Sequence, residues 1–273
     1  KFSQPGAFAR GLSELLEEYA DHTHRQGQTG EPAPLLSSFK VPSPVIRQVW
    51  LELLPSITAA PQAALELSDT LWRQPSVEHR ILAADILGHL PAYYQAEVIN
   101  RIQLWTGAGI EDRLVDILLD HGLAGLRSQS SQAVISLVES WLSNPNKIEK
   151  QLGLRLMHAL ASDPTFPDLP VLFRLLNPYL RIAPPLLRPE VITILITLIH
   201  RSAPEVAYIL RQNLNADENP DTAWLLRQVI SDFPPELQAS LRDALRHTSH
   251  HQQRPHPDGH WPNWGTRCPG FCC

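Results

Sequence analysis

The sequence is poor in cysteine and glycine and lacks long apolar runs, and each shortage excludes a class of protein. Its three Cys residues, Cys268, Cys272 and Cys273, all lie in the last six of 273 positions, so a disulfide framework is excluded from the body of the chain. A body without thiols suits a reducing compartment, and we predict a cytoplasmic location. With 13 Gly and no Gly-rich phosphate loop, HExxH or GxSxG motif, the chain has no signature of kinase, dehydrogenase or zinc-hydrolase chemistry.

No stretch of 18 consecutive apolar residues occurs, so we expect no transmembrane helix and no membrane partner. The first residues, KFSQPGAFARGL, lack the apolar core of a signal peptide. The chain begins with Lys1 and not with Met, which suggests a fragment or a trimmed chain. We also expect no cofactor, no bound metal and a monomer.

Lysine is scarce as well, since 19 of the 23 basic residues are Arg. The net charge of −5 argues against a globally basic nucleic-acid binder, but it permits a local basic groove. Arg suits such a groove because its planar guanidinium forms bidentate contacts.

What the sequence has in abundance is helical periodicity. Apolar residues recur at three- and four-residue steps in 7–20, 43–54, 62–72, 77–90, 95–105, 132–142 and 147–161, which predicts amphipathic helices. Prolines mark the expected boundaries, among them Pro55, Pro91 and Pro204, and Ser43 and Ser76 are expected helix caps. The pattern predicts an all-α fold of about ten to twelve helices.

Such a string of helices fits a compact bundle or a right-handed α-α superhelix, a solenoid of degenerate HEAT-like helix pairs. Pairs recur at roughly 30–40 residues, which favours the solenoid. We predict an N-terminal helix and linker over 1–39, a helical-repeat domain over 40–246 and a tail over 247–273. The tail is rich in His, Pro and Cys, and we predict it to be disordered; a metal site built from its His and Cys side chains is the alternative.

Asp112, Asp116 and Asp120 recur at a spacing of four within GIEDRLVDILLDHGL, residues 109–123. On a helix this spacing stacks three carboxylates on one face, where they repel one another unless water or a cation relieves them. The row is either a solvated surface or a site.

Five segments, taken in order, resemble a known family. They are KVPSPVIRQVW (40–50), LWRQPSVEHRILAADIL (71–87), LVDIL (114–118), KIEKQLGLRLMHALA (147–161) and TAWLLRQVI (222–230). Their order and spacing over residues 40–246 look like those of the bacterial HEAT-repeat alkylpurine DNA glycosylases of the DNA alkylation repair family.

The resemblance implies a superhelix that holds alkylated duplex DNA in a positively charged concave groove. In such enzymes an Asp, helped by aromatic side chains and an Arg, stabilises the positive charge that develops on the sugar as the base leaves. The match puts Asp116 at the catalytic position. It puts Asp112 and Thr193 where the family has Trp, and Gln151, after Lys150, where the family has Arg. We therefore predict DNA binding with glycosylase activity on 3-methyladenine or 7-methylguanine that is weak or lost.

A basic groove also needs cations that meet phosphates. The predicted DNA-binding residues are Lys150, Gln151, Arg155, Arg188, Arg201 and Arg227. Trp105 and Trp141 are expected in the core, Glu78 with Arg80 in bonding between helices, and Trp224 with Arg227 in the last repeat. The alternative function is a non-catalytic HEAT-like scaffold that binds a protein or peptide.

Overall fold

A computed structural model describes residues 4–20, 36–107, 110–215 and 219–251, and the fold of these residues is all-α, as predicted. The helices are α1 (Pro5–Glu18), α2 (Ser43–Ala59), α3 (Pro61–Trp72), α4 (Val77–Gly88), α5 (Gln95–Trp105), α6 (Asp112–Ile117), α7 (Ala124–Gln129), α8 (Ser131–Ser143), α9 (Lys147–Ser162), α10 (Leu169–Arg181), α11 (Arg188–Leu214), α12 (Thr222–Val229) and α13 (Pro235–His251). A π-helical turn, Leu118–Gly122, follows α6 and is called the π turn below. An isolated parallel bridge joins Ser37 to Ser76.

Short polar side chains set where several helices begin. Ser76, Asn146 and Asp168 cap α4, α9 and α10 by accepting a hydrogen bond from an amide of the first turn, which satisfies a donor that the helix itself leaves free. The predicted cap at Ser76 is confirmed. The cap at Ser43 was wrong, because Ser43 is already helical and Pro42 precedes it without a side-chain bond.

Two prolines show how context decides a helix boundary. Pro55 was expected to end a helix but lies inside α2. Its ring is exposed and so is Leu51, so water can replace the bond that the carbonyl of Leu51 loses. Pro204 does mark a break, because Ser202 has non-helical dihedrals and divides α11. The Ser202 hydroxyl donates to the carboxylate of Glu205 just after this break.

Many helices pack on an element two or more positions away along the chain as well as on the next one. One row consists of α4, the π turn, α9 and α11, each in contact with the next. On this row lie α3 against α4, α5 against the π turn, α8 against α9, and α10 against both α9 and α11. The helix α1 packs on α3, and α12 and α13 pack on α11. The apolar faces that the sequence pattern predicted thus form one continuous core.

Side-chain hydrogen bonds between neighbouring layers join residues at similar sequence separations. Examples are Arg101 to Asp69 at 32 positions, Arg174 to Glu139 at 35, Arg181 to Asn219 at 38 and Arg155 to Asp116 at 39. A repeated separation means that each structural unit has about the same length as the next. The observed range lies close to the repeat of roughly 30–40 residues predicted from the helix pairs.

The aromatic core is as expected. Trp105 and Trp141 are 7% and 3% exposed, which confirms their placement. Trp105 stacks on Trp72 with ring centroids 4.5 Å apart, and the guanidinium of Arg80 lies 5.0 Å from the centroid of Trp72. Stacking and cation–π contact fix the end of α3 against α4 and α5.

By length and apolar composition alone, the helical stretch Pro185–Leu214 could cross a membrane. It is bent at Ser202 and packs on α9, α10, α12 and α13. A single helix of this kind is weak evidence for a membrane span, because core helices of soluble proteins pass the same test.

The last described helix, α13, continues to His251, five residues beyond the boundary predicted at 246. The rest of the predicted tail, with His256, His260 and the three Cys residues, lies outside the described residues.

Candidate functional site

The three aspartates of the sequence row line one cleft, called the acidic cleft here. It has a volume of about 420 Å³ and lies between α6, the π turn, α9 and the start of α11. Its lining residues are Asp112, Asp116, Leu119, Asp120, Gln151, Arg155, His158, Ala159, Pro189, Glu190 and Thr193. The carboxylate row is therefore part of a concave site.

Arg155 relieves the repulsion between two of the carboxylates. Its Nε donates to Asp116 Oδ1 at 3.0 Å, and its Nη1 donates to Asp112 Oδ1 at 2.7 Å. Its Nη2 donates to the backbone oxygen of Asp112 at 3.0 Å. The Arg155 side chain is 16% exposed, whereas that of Asp116 is 58% exposed. The guanidinium thus forms the wall of the cleft, and the Asp116 carboxylate faces solvent.

Burial works to lower the pKa of Arg155, but its hydrogen bonds to Asp116 and Asp112, and the negative charges of these carboxylates, outweigh burial and raise the pKa above its ordinary value. Arg155 therefore stays charged at any physiological pH. Because one guanidinium bonds two carboxylates, the group formed by Arg155, Asp112 and Asp116 keeps a net negative charge.

A second polar pair, Gln151 on α9 and Glu190 on α11, also lines the acidic cleft. The Gln151 amide donates to Glu190 Oε1. The other oxygen of Glu190 is buried and has no hydrogen-bond partner among the described residues. A buried carboxylate oxygen without a donor costs free energy, and it adds negative charge to the cleft.

Large aromatic side chains do not line the acidic cleft. Among the described residues around it there is no Trp, Tyr or Phe, and Thr193 occupies the wall on α11. Thr193 donates to the backbone oxygen of Pro189 at 2.9 Å, so its hydroxyl is engaged within the helix. A cationic base in this cleft would meet carboxylates and the imidazole of His158, but no Trp, Tyr or Phe ring among the described residues.

Two of the predicted phosphate-binding arginines hold the fold together. Arg188 donates to Ala183 O and to Asp221, and it lies 4.5 Å from the ring centroid of Trp224. Arg201 donates to the backbone oxygens of Leu160, Ala161, Asp163 and Phe166. Lys150 and Arg227 lie outside the acidic cleft too, so the structure brings only Gln151 and Arg155 of the six to Asp116.

A second cleft, called the basic cleft here, lies on the other side of α6 and has a volume of about 740 Å³. It is formed by the segment before α2, by α2, by α4 and by the start of α6 with the π turn. Its lining residues are Leu36, Ser38, Lys40, Val41, Ser43, Ile46, Arg47, Trp50, Val77, Glu78, Ile81, Asp85, Glu111, Arg113 and His121.

His121 lies in the π turn and adds to the positive charge of the basic cleft. Its Nδ1 lies 2.7 Å from Asp85 Oδ1. That hydrogen bond raises the pKa of His121 above 6.5, although burial opposes the shift. Since a raised pKa means that the folded protein holds the proton to higher pH, the imidazolium persists further toward neutral pH than in a free histidine.

The sequence profile of the DNA alkylation repair enzymes matches residues 13–188, more than half of the chain. This chain belongs to the DNA alkylation repair enzyme family. No curated protein and no solved structure matches this family member. The matched region contains every lining residue of the basic cleft and those of the acidic cleft up to Ala159, while Pro189, Glu190 and Thr193 follow it.

The family resemblance put an Arg at position 151, where this member of the DNA alkylation repair enzymes has Gln. The structure shows that Arg155, one helical turn further on, supplies the guanidinium. The sequence did contain a signal, because residues four apart on a helix share a face. The basic cleft was missed, since its cations come from three separate segments.

Proposed function

We propose that this member of the DNA alkylation repair enzyme family binds duplex or damaged DNA along the row of α4, the π turn, α9 and α11, with alkylpurine glycosylase activity that is weak or lost. The observation that supports it best is the pairing of Asp116 with Arg155 in an open cleft. We further propose that the helix pairs stack as a right-handed HEAT-like solenoid, because neighbouring layers join at a regular separation, and that the protein is cytoplasmic and monomeric.

The chemistry that Asp116 could support is simple. An alkylated purine already has a positive charge and leaves readily, so the main task is to stabilise an oxocarbenium-like sugar. A solvent-facing carboxylate held in place by Arg155 has the right sign and a fixed position. Arg155 also offsets part of its charge, which weakens that stabilisation.

The lack of Trp, Tyr and Phe side chains among the described residues of the acidic cleft limits the proposed glycosylase activity. A cation–π contact contributes about 0.5–2 kcal/mol, so two such contacts that the cleft lacks would reduce the rate roughly fivefold to a thousandfold. This is why the proposal has weak or lost activity and not full activity.

DNA binding is the first test, and the salt dependence of the affinity is the measurement. If the protein meets about three phosphates, the affinity for a duplex should fall roughly 40-fold between about 50 and 200 mM salt. Absence of binding at low salt would overturn the proposal.

Base release is the second test. The purified protein is incubated with alkylated DNA, and release of 7-methylguanine is compared between the wild type and Asp116→Asn, which keeps the size and removes the charge. We expect a slow release that falls at least tenfold in the variant if activity is weak, and none from either protein if it is lost. Equal, measurable release by both would exclude Asp116 as the catalytic carboxylate.

A non-catalytic scaffold that binds a protein or peptide is the second candidate function. Four carboxylates, Asp112, Asp116, Asp120 and Glu190, and one arginine line the acidic cleft. Such a surface suits a cationic peptide. Binding of an oligolysine peptide in the absence of any DNA binding would favour this candidate.

A further inference from the structure

The two clefts differ in which of their charges remain available. In the basic cleft, Lys40, Arg47 and Arg113 are exposed. None of their charged groups forms a hydrogen bond or ion pair with another described residue. In the acidic cleft, by contrast, the guanidinium is already bound and carboxylates remain. A ligand therefore meets free cations on one side of α6 and free carboxylates on the other.

Each carboxylate of the basic cleft has one oxygen engaged within the protein. Glu78 Oε1 accepts hydrogen bonds from Ser38 Oγ at 2.8 Å and from the Lys40 amide at 3.1 Å. Asp85 is bound by His121, and Glu111 Oε1 accepts from the Leu36 amide at 3.2 Å. Formally the three acids balance the three cations. One oxygen of each acid is bound within the protein, while the second oxygen of Glu78 is buried without a hydrogen-bond partner among the described residues. The three cations are exposed and have no ion-pair partner among the described residues, so an anion can approach them.

The position of Lys40 is held by the fold. Its φ is 52°, a left-handed conformation that is uncommon for a residue other than Gly. The bond from its amide to Glu78, which is 7% exposed, and the bridge between Ser37 and Ser76 hold the segment there. A strained residue persists only where its surroundings fix it, so the backbone of Lys40 is anchored at the rim of the cleft.

An aromatic surface lies beside these cations. The half-buried indole of Trp50 lines the basic cleft and packs edge-to-face on His89, with centroids 4.6 Å apart. Cations that track phosphates, combined with an aromatic ring on which a base stacks, are the features by which proteins hold a nucleic-acid strand. An acidic peptide would use the cations but would have no use for a stacking surface.

The two clefts meet at α6. Asp112 lines the acidic cleft and the next residue, Arg113, lines the basic one. The basic cleft therefore adjoins the helix that carries Asp116.

We propose that the basic cleft binds one strand of DNA, with phosphates on Lys40, Arg47 and Arg113 and an unpaired base stacked on Trp50. This rests on the proposed DNA-binding function and assigns its phosphate contacts to a different set of residues from those predicted by sequence.

The phosphate contacts are tested with the double variant Arg47→Gln, Arg113→Gln. Its matched control is Arg10→Gln, Arg73→Gln, two exposed arginines outside both clefts. Fluorescence anisotropy of the full chain on a labelled duplex is measured at about 50 and 200 mM salt. Loss of two of three contacts should reduce the fall in affinity from roughly 40-fold to roughly 4-fold, whereas the control should keep the wild-type salt dependence.

The stacking contact is tested with Trp50→Ala. A duplex with one unpaired nucleotide should bind the wild type better than a fully paired duplex, and this preference should fall roughly five- to hundredfold in the variant. Tyr93→Ala removes an aromatic ring that is 75% exposed and lies outside both clefts, so it should leave the preference unchanged. Thermal unfolding curves of each variant check that the fold is intact.

The outcomes separate the two proposals. If the wild type binds DNA with a steep salt dependence and the double variant behaves like its control, the basic cleft is not the strand site, although DNA binding stands. If no DNA binds at low salt, both proposals fail. If the double variant loses affinity for an oligoglutamate peptide but not for DNA, the cleft binds acidic peptides and the strand proposal is overturned.

Discussion

Replacing Arg201 with Met should lower the free energy of unfolding by roughly 3–5 kcal/mol and leave the salt dependence of DNA binding unchanged. Arg201 donates to Ala161 O, Asp163 O and Phe166 O, each at 2.9 Å, and to Leu160 O at 3.4 Å. The carbonyls of Leu160 and Ala161 belong to the last turn of α9, and that of Asp163 directly follows the helix. Without the guanidinium they lose charged donors in a partly buried place. Denaturant unfolding of the variant measures the effect.

Arg227→Met is the matched control for Arg201, because Arg227 is exposed and a surface substitution usually changes stability by no more than about 0.5 kcal/mol. Arg201→Lys is a second comparison. A single ammonium cannot reach both the end of α9 and Phe166, so most of the loss should remain. If the Arg201→Met variant were stable and its DNA binding depended less steeply on salt, Arg201 would be a phosphate contact, as predicted from the sequence.

The sequence predicted well whatever depends on neighbours along the chain. The helix α9 was expected at 147–161 and is found at Lys147–Ser162, since its apolar periodicity and the polar residue before it are local features. The shared position of Asp112, Asp116 and Asp120 was predicted for the same reason. Pro55 shows the limit, because whether a proline ends a helix depends on which side of the helix faces water.

The site could be predicted only in part, because its chemistry is set by contacts between layers. Nothing in the local pattern says that the Arg155 side chain spans the distance from α9 to α6, or that Arg201 turns toward the end of α9. Both are arginines on α-helices in apolar surroundings. Their partners are fixed by how closely the helices pack, and the same is true of the cations of the basic cleft.

The π turn is another feature that the sequence did not reveal. The spacing of the aspartates predicted a continuous α-helix, but the chain changes to π-helical geometry at Leu118. Such turns are rare and occur often at functional sites. Here the turn places Asp120 in the acidic cleft and His121 in the basic cleft, so it contributes to both.

Gly88→Ala should destabilise the protein by roughly 2–4 kcal/mol, the opposite of what a glycine in a helix usually shows. In general, Ala in place of a helical Gly stabilises by about 0.5–1 kcal/mol. A methyl group at position 88, however, would lie 2.0 Å from the backbone oxygen of His121. A backbone atom cannot turn aside as a flexible side chain can, so α4 and the π turn would have to separate.

Gly11→Ala is the matched control for Gly88, because a methyl group added at this position of α1 meets nothing within 4 Å. It should stabilise the protein by about 0.5–1 kcal/mol. The two variants are compared by thermal or denaturant unfolding. Because the π turn begins two residues after Asp116, Gly88→Ala should also displace the carboxylate from Arg155 and weaken any release of 7-methylguanine. Equal stability of the two variants would mean that α4 and the π turn are not in the close contact shown here.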